Sequence, residues 1–412
     1  MSTKLTVLLS AYSCGPGHGS EPEVGWQTAL CLSRSCNVIV LTTSEFRDRI
    51  EAEVASRRFE NIQFVYFDLP WCVDWLARRH AMGVHAHYFL WQYLAPQFVK
   101  GHPACGKVDV VHHVTLIQFV HPGFWDKLGK RYVLGPLGGT ETVPREFDRL
   151  LTISERVQES LRRLMKAYFI SSRGLRRYLG GAERVLFAHQ SMADRVALPN
   201  VSIMLDTPVN PDTVKPRKDD IAPDVLRVIW VGVLNYRKAA ILLLMAMRQL
   251  RSHGIRADLY GDGPKRAACQ QFIRRHQLGG CVALKGRVPR EALLGLYSTY
   301  DVFVFTSLRE TTGTVTLEAM AAGLPIVYVD HQGVRDVMAG AEAGIGIDPR
   351  DPQYVVDRLA EALLFYKNNP ATIQTHGANA RKRLSERFTW EQRTRELADL
   401  YAGVAAKVNQ QG

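Results

Sequence analysis

Short runs of apolar, often β-branched residues alternate along the whole chain with longer segments of helical periodicity. In the first half the runs fall at 5–11, 38–42, 62–67, 108–113 and 132–135. In the second half they fall at 228–233, 257–260, 282–284, 302–306 and 326–329. Such runs suit strands buried on both faces, and helices between them make the strands parallel. Two series of this kind predict an α/β protein with two doubly wound domains. The stretch PVNPDTVKPRKDDIAP has four prolines and no apolar period, which sets a linker over 208–225. The first domain is then 1–207 and the second 226–389.

Composition narrows the classes. The longest apolar runs are far short of the roughly 20 residues that cross a bilayer. The opening MSTKLTVLLSAYS is followed by Gly, Pro and His, and reads as a first buried strand in preference to a signal peptide. Seven scattered cysteines without a CxxC spacing point to a reducing cytosol and away from a disulfide framework or a zinc site. A formal net charge of +12 admits three kinds of partner: nucleic acid, an anionic membrane surface or a phosphorylated small molecule.

Candidate chemistry concentrates in the second half. FTSLRETTGTVTLEAMAAGLP contains Glu310 and Glu318. Thr311, Thr312, Gly313, Thr314 and Val315 are poor helix formers, so Glu310 belongs to a strand-to-helix turn and Glu318 to the helix that follows. That helix is stopped by Gly323 and Pro325. Free backbone N–H groups near Gly313 and Thr314 make an anion site, so one ligand could bring hydroxyls to both carboxylates and a phosphate between them. Two solvated acids at a helix start are the plain alternative. In VIWVGVLNYRKAAILLL, Arg237 and Lys238 follow Gly232 in a strand-to-helix loop, where open α/β sheets bind ligands. Two cations there could neutralise a diphosphate leaving group. LYGDGP places Gly261 and Gly263 in a turn after a strand, and in KGRVPREALLGLY the backbone around Val288 could contact a base.

Together these motifs resemble glycosyltransferase family 4, retaining enzymes that use nucleotide-sugar donors. The resemblance is strong from about 227 to 340. It extends more weakly to GSEPEVGWQTALCLSR, DVVHHVTLIQFVHP, VLGPLGGTE and the late RFTWEQRTRELADLY. It implies the GT-B fold, two Rossmann-like domains facing a central cleft, with a terminal helix at 390–410 crossing back to the acceptor-side first domain. By resemblance Glu310 would hold donor-sugar hydroxyls and Glu318 the ribose hydroxyls. Backbone groups of Thr312, Gly313, Thr314 and Val315 would orient the sugar and its phosphate. Arg237 and Lys238 match the diphosphate-binding turn, although Val233 stands where the family usually has an Arg. Gly19 and Ser20, with Glu21, match the loop that approaches the donor phosphates. His112 and His113 sit where the family places a histidine facing the sugar; which of the two is left open, and His121 is a third candidate. The resemblance implies a UDP- or GDP-linked donor, no metal and no cofactor. The departing phosphate would itself take the acceptor proton.

Residues 156–184 hold eight Arg or Lys against two Glu. Val157, Leu161, Leu164, Met165 and Tyr168 recur at helical spacing beside Arg162, Arg163 and Lys166. Trp71 and Trp75 neighbour Arg78 and Arg79. This combination predicts either a peripheral surface for anionic membrane that admits a lipid-linked or glycan acceptor, or a core-packed helix with a solvated basic face. The expected activity is sugar transfer in bacterial surface polysaccharide or glycolipid synthesis, in the cytoplasm at the inner face of the plasma membrane. A GT-B epimerase or phosphorylase shares the two-domain plan, but no lysine is marked out to carry the phosphorylase's pyridoxal phosphate. A non-catalytic basic protein is the remaining class. Nucleic acid is not expected, because basic and aromatic residues do not interleave along a reader motif.

Overall fold

A computed structural model of the protein describes residues 4–17, 20–57, 59–79, 83–116, 118–217 and 224–409. Seven strands build the first sheet: β1 (Thr6–Ser10), β2 (Asn37–Thr42), β3 (Ile62–Tyr66), β4 (Val110–His113), β5 (Arg131–Leu137), β6 (Arg184–Phe187) and β7 (Val201–Ile203). Six build the second: β8 (Leu226–Val231), β9 (Ile255–Tyr260), β10 (Val282–Gly286), β11 (Val302–Phe305), β12 (Ile326–Val329) and β13 (Gly344–Ile347). Every pairing is parallel, with orders β3-β2-β1-β4-β5-β6-β7 and β10-β9-β8-β11-β12-β13. Each sheet therefore reverses direction beside its own first strand. Val228 of β8, for example, pairs with Ala257 on one side and Val302 on the other. Such a switch point opens a crevice at the carboxyl ends of the strands.

The apolar runs form strands because both faces of each sheet are covered by helices. Val7, Leu8 and Leu9 of β1 and Phe303 and Val304 of β11 are all inaccessible to water. Three strands escaped the reading of the sequence. β6 and β7 are four and three residues long, and β13 is GIGI, whose glycines break the apolar run. β8 ends at Val231, two residues before the expected limit, so Gly232 and Val233 lie in the loop that follows.

The expected linker is not a free tether where it is described. Val209 and Val214 are buried in the core of the second domain. Val209 N–H donates to the Phe388 carbonyl at 3.0 Å and Arg217 N–H to the Ala322 carbonyl at 2.7 Å. Residues 218–223 lie outside the described residues. The last helix, Trp390–Asn409, returns to the first domain, where Leu397, Tyr401 and Val404 join the core around Val7 and Leu9. The buried Arg393 anchors its start by donating to the Leu205 carbonyl.

A buried carboxylate ties the second sheet to the chain that enters it. Asp301, fully inaccessible, accepts from Arg227 N–H at 2.8 Å, Nε at 3.0 Å and a guanidinium nitrogen at 2.9 Å. The Arg217 guanidinium lies 3.6 Å away. Asp301→Ala removes the buried carboxylate that Arg227 and Arg217 share, and equilibrium urea unfolding is expected to show a loss of about 2–3 kcal/mol. A loss no larger than that of an exposed surface substitution would contradict this account.

Candidate functional site

Two loops meet at the carboxyl edge of the second sheet, one after β8 and one after β11. They are laced by backbone and hydroxyl bonds. Trp230 Nε1 donates to Thr306 Oγ1 at 2.9 Å, Thr306 Oγ1 donates to the Lys238 carbonyl at 2.8 Å, and Leu308 N–H donates to the Arg237 carbonyl at 2.7 Å. Gly313 has φ +78, and a Cβ there would sit 2.7 Å from the Phe305 ring. That backbone turn ends the loop and starts the helix Thr314–Ala322.

The lacing brings Glu310, Arg237 and Lys238 into one cluster. Lys238 Nζ pairs with Glu310 Oε2, Arg237 lies 3.5 Å from the same oxygen, and Ser307 Oγ is 3.3 Å from it. Burial pushes the Lys238 ammonium below its ordinary value, and the Glu310 charge opposes the shift. The reading of the sequence treated acid and cations as separate ligand contacts; in this structure they neutralise one another. Glu310 N–H donates to Gln332 Oε1 at 2.8 Å, and Gln332 Nε2 donates to the Thr142 carbonyl of the first domain at 2.9 Å. Gln332 was not foreseen, and neither its sequence nor its spacing marks it.

Glu318 also has partners. It is almost fully buried, pairs with Arg290 at 2.7 Å and accepts from Tyr297 Oη at 3.1 Å. Burial raises its pKa, while Arg290 and then Tyr297 pull it down. Thr312 is buried, and Val288 and Val315 pack against the core of the second domain. Gly261 and Gly263 let two loops pass. A Cβ on Gly261 would lie 1.8 Å from the Gly232 carbonyl oxygen, and one on Gly263 2.6 Å from that of Leu234.

A cavity of 630 Å³ opens between the domains. The second domain contributes Arg309 and Thr311, and the first contributes Glu21, Gly138, Asp206 and the helix Ile153–Ser171. Burial raises the carboxyls of Glu21 and Asp206, and Glu21 accepts from Leu116 N–H at 2.9 Å. Of the expected loop, Gly19 lies outside the described residues, and Ser20 begins the helix Ser20–Ser33 with its side chain undescribed. Neither His112 nor His113 lines this cavity. Both are buried in β4: His112 Nε2 is 2.9 Å from the Gly135 carbonyl, and His113 lies between Ser10 Oγ at 2.9 Å and Tyr88 Oη at 3.2 Å. His121 does line it.

The helix Ile153–Ser171 corrects the expectation of a basic outer surface. Glu159, Arg163 and Lys166 face inward. Glu159, fully buried, accepts from Val143 N–H at 2.9 Å, from Arg309 at 2.6 Å and from Tyr236 Oη at 3.3 Å, with Arg162 at 3.4 Å. Arg163 holds Asp148 at 2.6 Å, and the buried Lys166 donates to the Glu141 carbonyl. The apolar stripe faces outward, with Leu164 68% and Tyr168 71% exposed. Buried charges need partners, and these lie on the cleft side. Trp71 and Trp75 are exposed on the helix Trp71–Arg79, while the side chains of Arg78 and Arg79 fall outside the described residues.

With this geometry in hand, similarity to known proteins can be placed. Residues 212–383 match the family model described as glycosyl transferases group 1. A putative colanic acid biosynthesis glycosyltransferase, WcaL of Salmonella typhimurium, is 27% identical over 183 residues. That alignment covers 42% of this chain and 44% of the relative, less than half of either. Sucrose-phosphate synthase from Thermosynechococcus elongatus superposes with a TM-score of 0.66 at 19% identity, covering 98% of this chain and all of the other. Anabaena HepE, in a complex with UDP-glucose, superposes with a TM-score of 0.57 at 14% identity, covering 97% of this chain and all of HepE. These full-length likenesses establish the GT-B fold.

Two measurements check the site's electrostatics. Glu159→Gln leaves Arg309 and Arg162 without their anion, and unfolding is expected to become easier by about 3 kcal/mol, with faster proteolysis between the domains; an unchanged midpoint would disprove the bridge. Burial, offset in part by their hydrogen bonds, holds His112 down to about 4 and His113 down to about 3. The unfolded chain, with ordinary histidines near 6.5, therefore takes up protons first as pH falls. The stability these rings contribute is whole above about 6.5 and is lost toward about 4 and below. Urea titrations across that window should show falling stability, with a shallower slope in His113→Gln.

Proposed function

We propose that this chain is a retaining glycosyltransferase of the family 4 type. It moves a sugar from a UDP- or GDP-linked donor to a glycan or lipid-linked saccharide acceptor, without a metal, in bacterial surface polysaccharide or glycolipid synthesis. The observation that carries the reading is the laced pair of loops. They set one carboxylate and two cations at the carboxyl edge of β8 and β11, beside the start of the helix Thr314–Ala322. The match over 212–383 and the donor bound in HepE support the same reading.

The chemistry follows from the cluster. A donor diphosphate would compete with Glu310 for Lys238 and Arg237, and would carry more charge than the carboxylate it displaces. Glu310, released, would accept hydrogen bonds from sugar hydroxyls. The bond from the anomeric carbon to the diphosphate oxygen breaks as the acceptor oxygen approaches on the same face. The departing phosphate takes the acceptor proton, and Arg237 and Lys238 stabilise the charge it gains. Glu318 and its Arg290 partner would hold the ribose.

Among the described residues no helix is long and apolar enough to cross a membrane. The exposed stripe of the helix Ile153–Ser171, with Trp71 and Trp75, supports a peripheral contact with the inner face of the plasma membrane.

Glu310→Gln keeps the shape of the side chain and removes its charge. Release of nucleoside diphosphate from a panel of UDP- and GDP-sugars, with membrane extract as the acceptor source, is expected to drop about 100-fold. Nucleoside diphosphate affinity should not fall, since the variant no longer competes with the diphosphate for Lys238 and Arg237. Undiminished release by this variant, or no release from any donor by the unaltered protein, would refute the reading.

A further inference from the structure

The helix Ile153–Ser171 divides into three sectors. At about 100° per residue, Glu159 and Arg163 point into the protein. Arg162, Lys166 and Phe169 come next and line the cavity, and Val157, Leu161, Leu164 and Tyr168 follow on the outer side. Met165 belongs to both of the last two, lining the cavity while 55% exposed. The apolar outer face is thus continuous with the cavity wall.

Carboxylates as well as cations line the cavity, the acids being Glu21, Glu141 and Asp206. Three of its cations are Arg162, Lys166 and Arg309. Arg162 and Arg309 share the single carboxylate of Glu159. Lys166 donates to a carbonyl, that of Glu141, and to no carboxylate oxygen among the described residues. Burial drives its ammonium down to about 8 even with Glu141 nearby. The acids on the same wall have partners of their own: Glu21 accepts from Leu116 N–H at 2.9 Å, and Glu141 is bound by His189 at 2.9 Å and by Gly139 N–H at 3.0 Å. Burial raises the carboxyls of Glu21 and Asp206. Arg162 Nε, 3.4 Å from Glu159 Oε2, is buried and makes no hydrogen bond among the described residues.

We propose that the acceptor is an anionic amphiphile, a lipid whose phosphoryl group lies against Arg162, Lys166 and Arg309. Its hydrocarbon chain crosses Met165 onto Leu161, Leu164 and Tyr168. The inference rests on the transferase reading and names the acceptor that reading leaves open. Charge complementarity selects the head, and the unbroken passage from cavity to outer face selects the tail. A second protein seated on the outer face would cover the stripe and leave the cations unanswered. The lipid satisfies both with one molecule.

The test uses the full-length protein and three probes at concentrations below micelle formation: decyl phosphate, decyl maltoside and inorganic phosphate. Binding is read by titration calorimetry. Decyl phosphate is expected to bind about tenfold or more tightly than either of the others. Arg162→Gln should remove the preference for decyl phosphate over decyl maltoside. Leu164→Ser, at an exposed position that folding does not need, should weaken decyl phosphate about tenfold and leave inorganic phosphate unchanged. Equal binding of the two decyl compounds, or of inorganic and decyl phosphate, would overturn the proposal. So would a dimer that Leu164→Ser dissolves and that excludes decyl phosphate. Melting shifts with UDP- and GDP-sugars, read in parallel on the unaltered protein, report the donor site separately. Their absence beside the expected decyl phosphate pattern would defeat the transferase reading and leave the amphiphile site standing.

Discussion

A carboxylate that water does not reach holds the two domains together. Glu159 sits inside the helix Ile153–Ser171 of the first domain and takes hydrogen bonds from Val143 behind it and from Arg309 and Tyr236 across the cleft. A charge so deeply buried is tolerable only with partners on several sides. That demand sets the rotation of the helix: Glu159, Arg163 and Lys166 turn inward, and Val157, Leu161, Leu164 and Tyr168 are left facing out. Lys265 with Glu155 at 2.8 Å and Arg149 with Asp351 at 2.9 Å add cross-domain pairs at the rim, where solvent screens them and their contribution is smaller. Arg309, held by Glu159, precedes Glu310, so the bridge between the domains and the loop bearing the candidate catalytic acid are adjacent in the chain.

The second domain solves a related problem on its own edge. Lys238 and Glu310 are both largely removed from water, and each stabilises the other's charge. A ligand carrying a diphosphate and several hydroxyls offers both groups equivalent partners. Exchange of one set of charge-assisted bonds for another costs far less than exposure of either ion alone. Under the proposed transfer, the cluster would be a closed resting state that the donor opens. Gln332, bonded both to the Glu310 backbone and to Thr142, carries the position of this loop to the first domain.

Much of this architecture was readable in advance. Long central strands such as β1, β2 and β8 declare themselves, because a strand covered on both faces must be apolar throughout. β7 and β13 do not, since a three-residue edge strand and a GIGI segment are stabilised by neighbours, not by their own composition. Arg237, Lys238 and Glu310 were each legible because they lie in loops that leave strands at the carboxyl edge. Their mutual pairing was not, because β8 and β11 become neighbours only through a crossover that skips β9 and β10. His112 and His113, adjacent in the sequence, are strand residues bound to Gly135, Ser10 and Tyr88.

Local chemistry alone dictated the two α/β halves and the loops that follow β8 and β11. These depend on periodicity and turn residues within a few positions of one another. The direction in which the helix Ile153–Ser171 faces was settled elsewhere. A periodic stripe states which residues share a side, and is silent on whether that side meets the core or the solvent. Here the answer came from Arg309 and Tyr236, 150 and 77 residues further along the chain. Only folding brings those groups to Glu159, and their charge and hydroxyl decide the orientation against the usual preference for burying carbon.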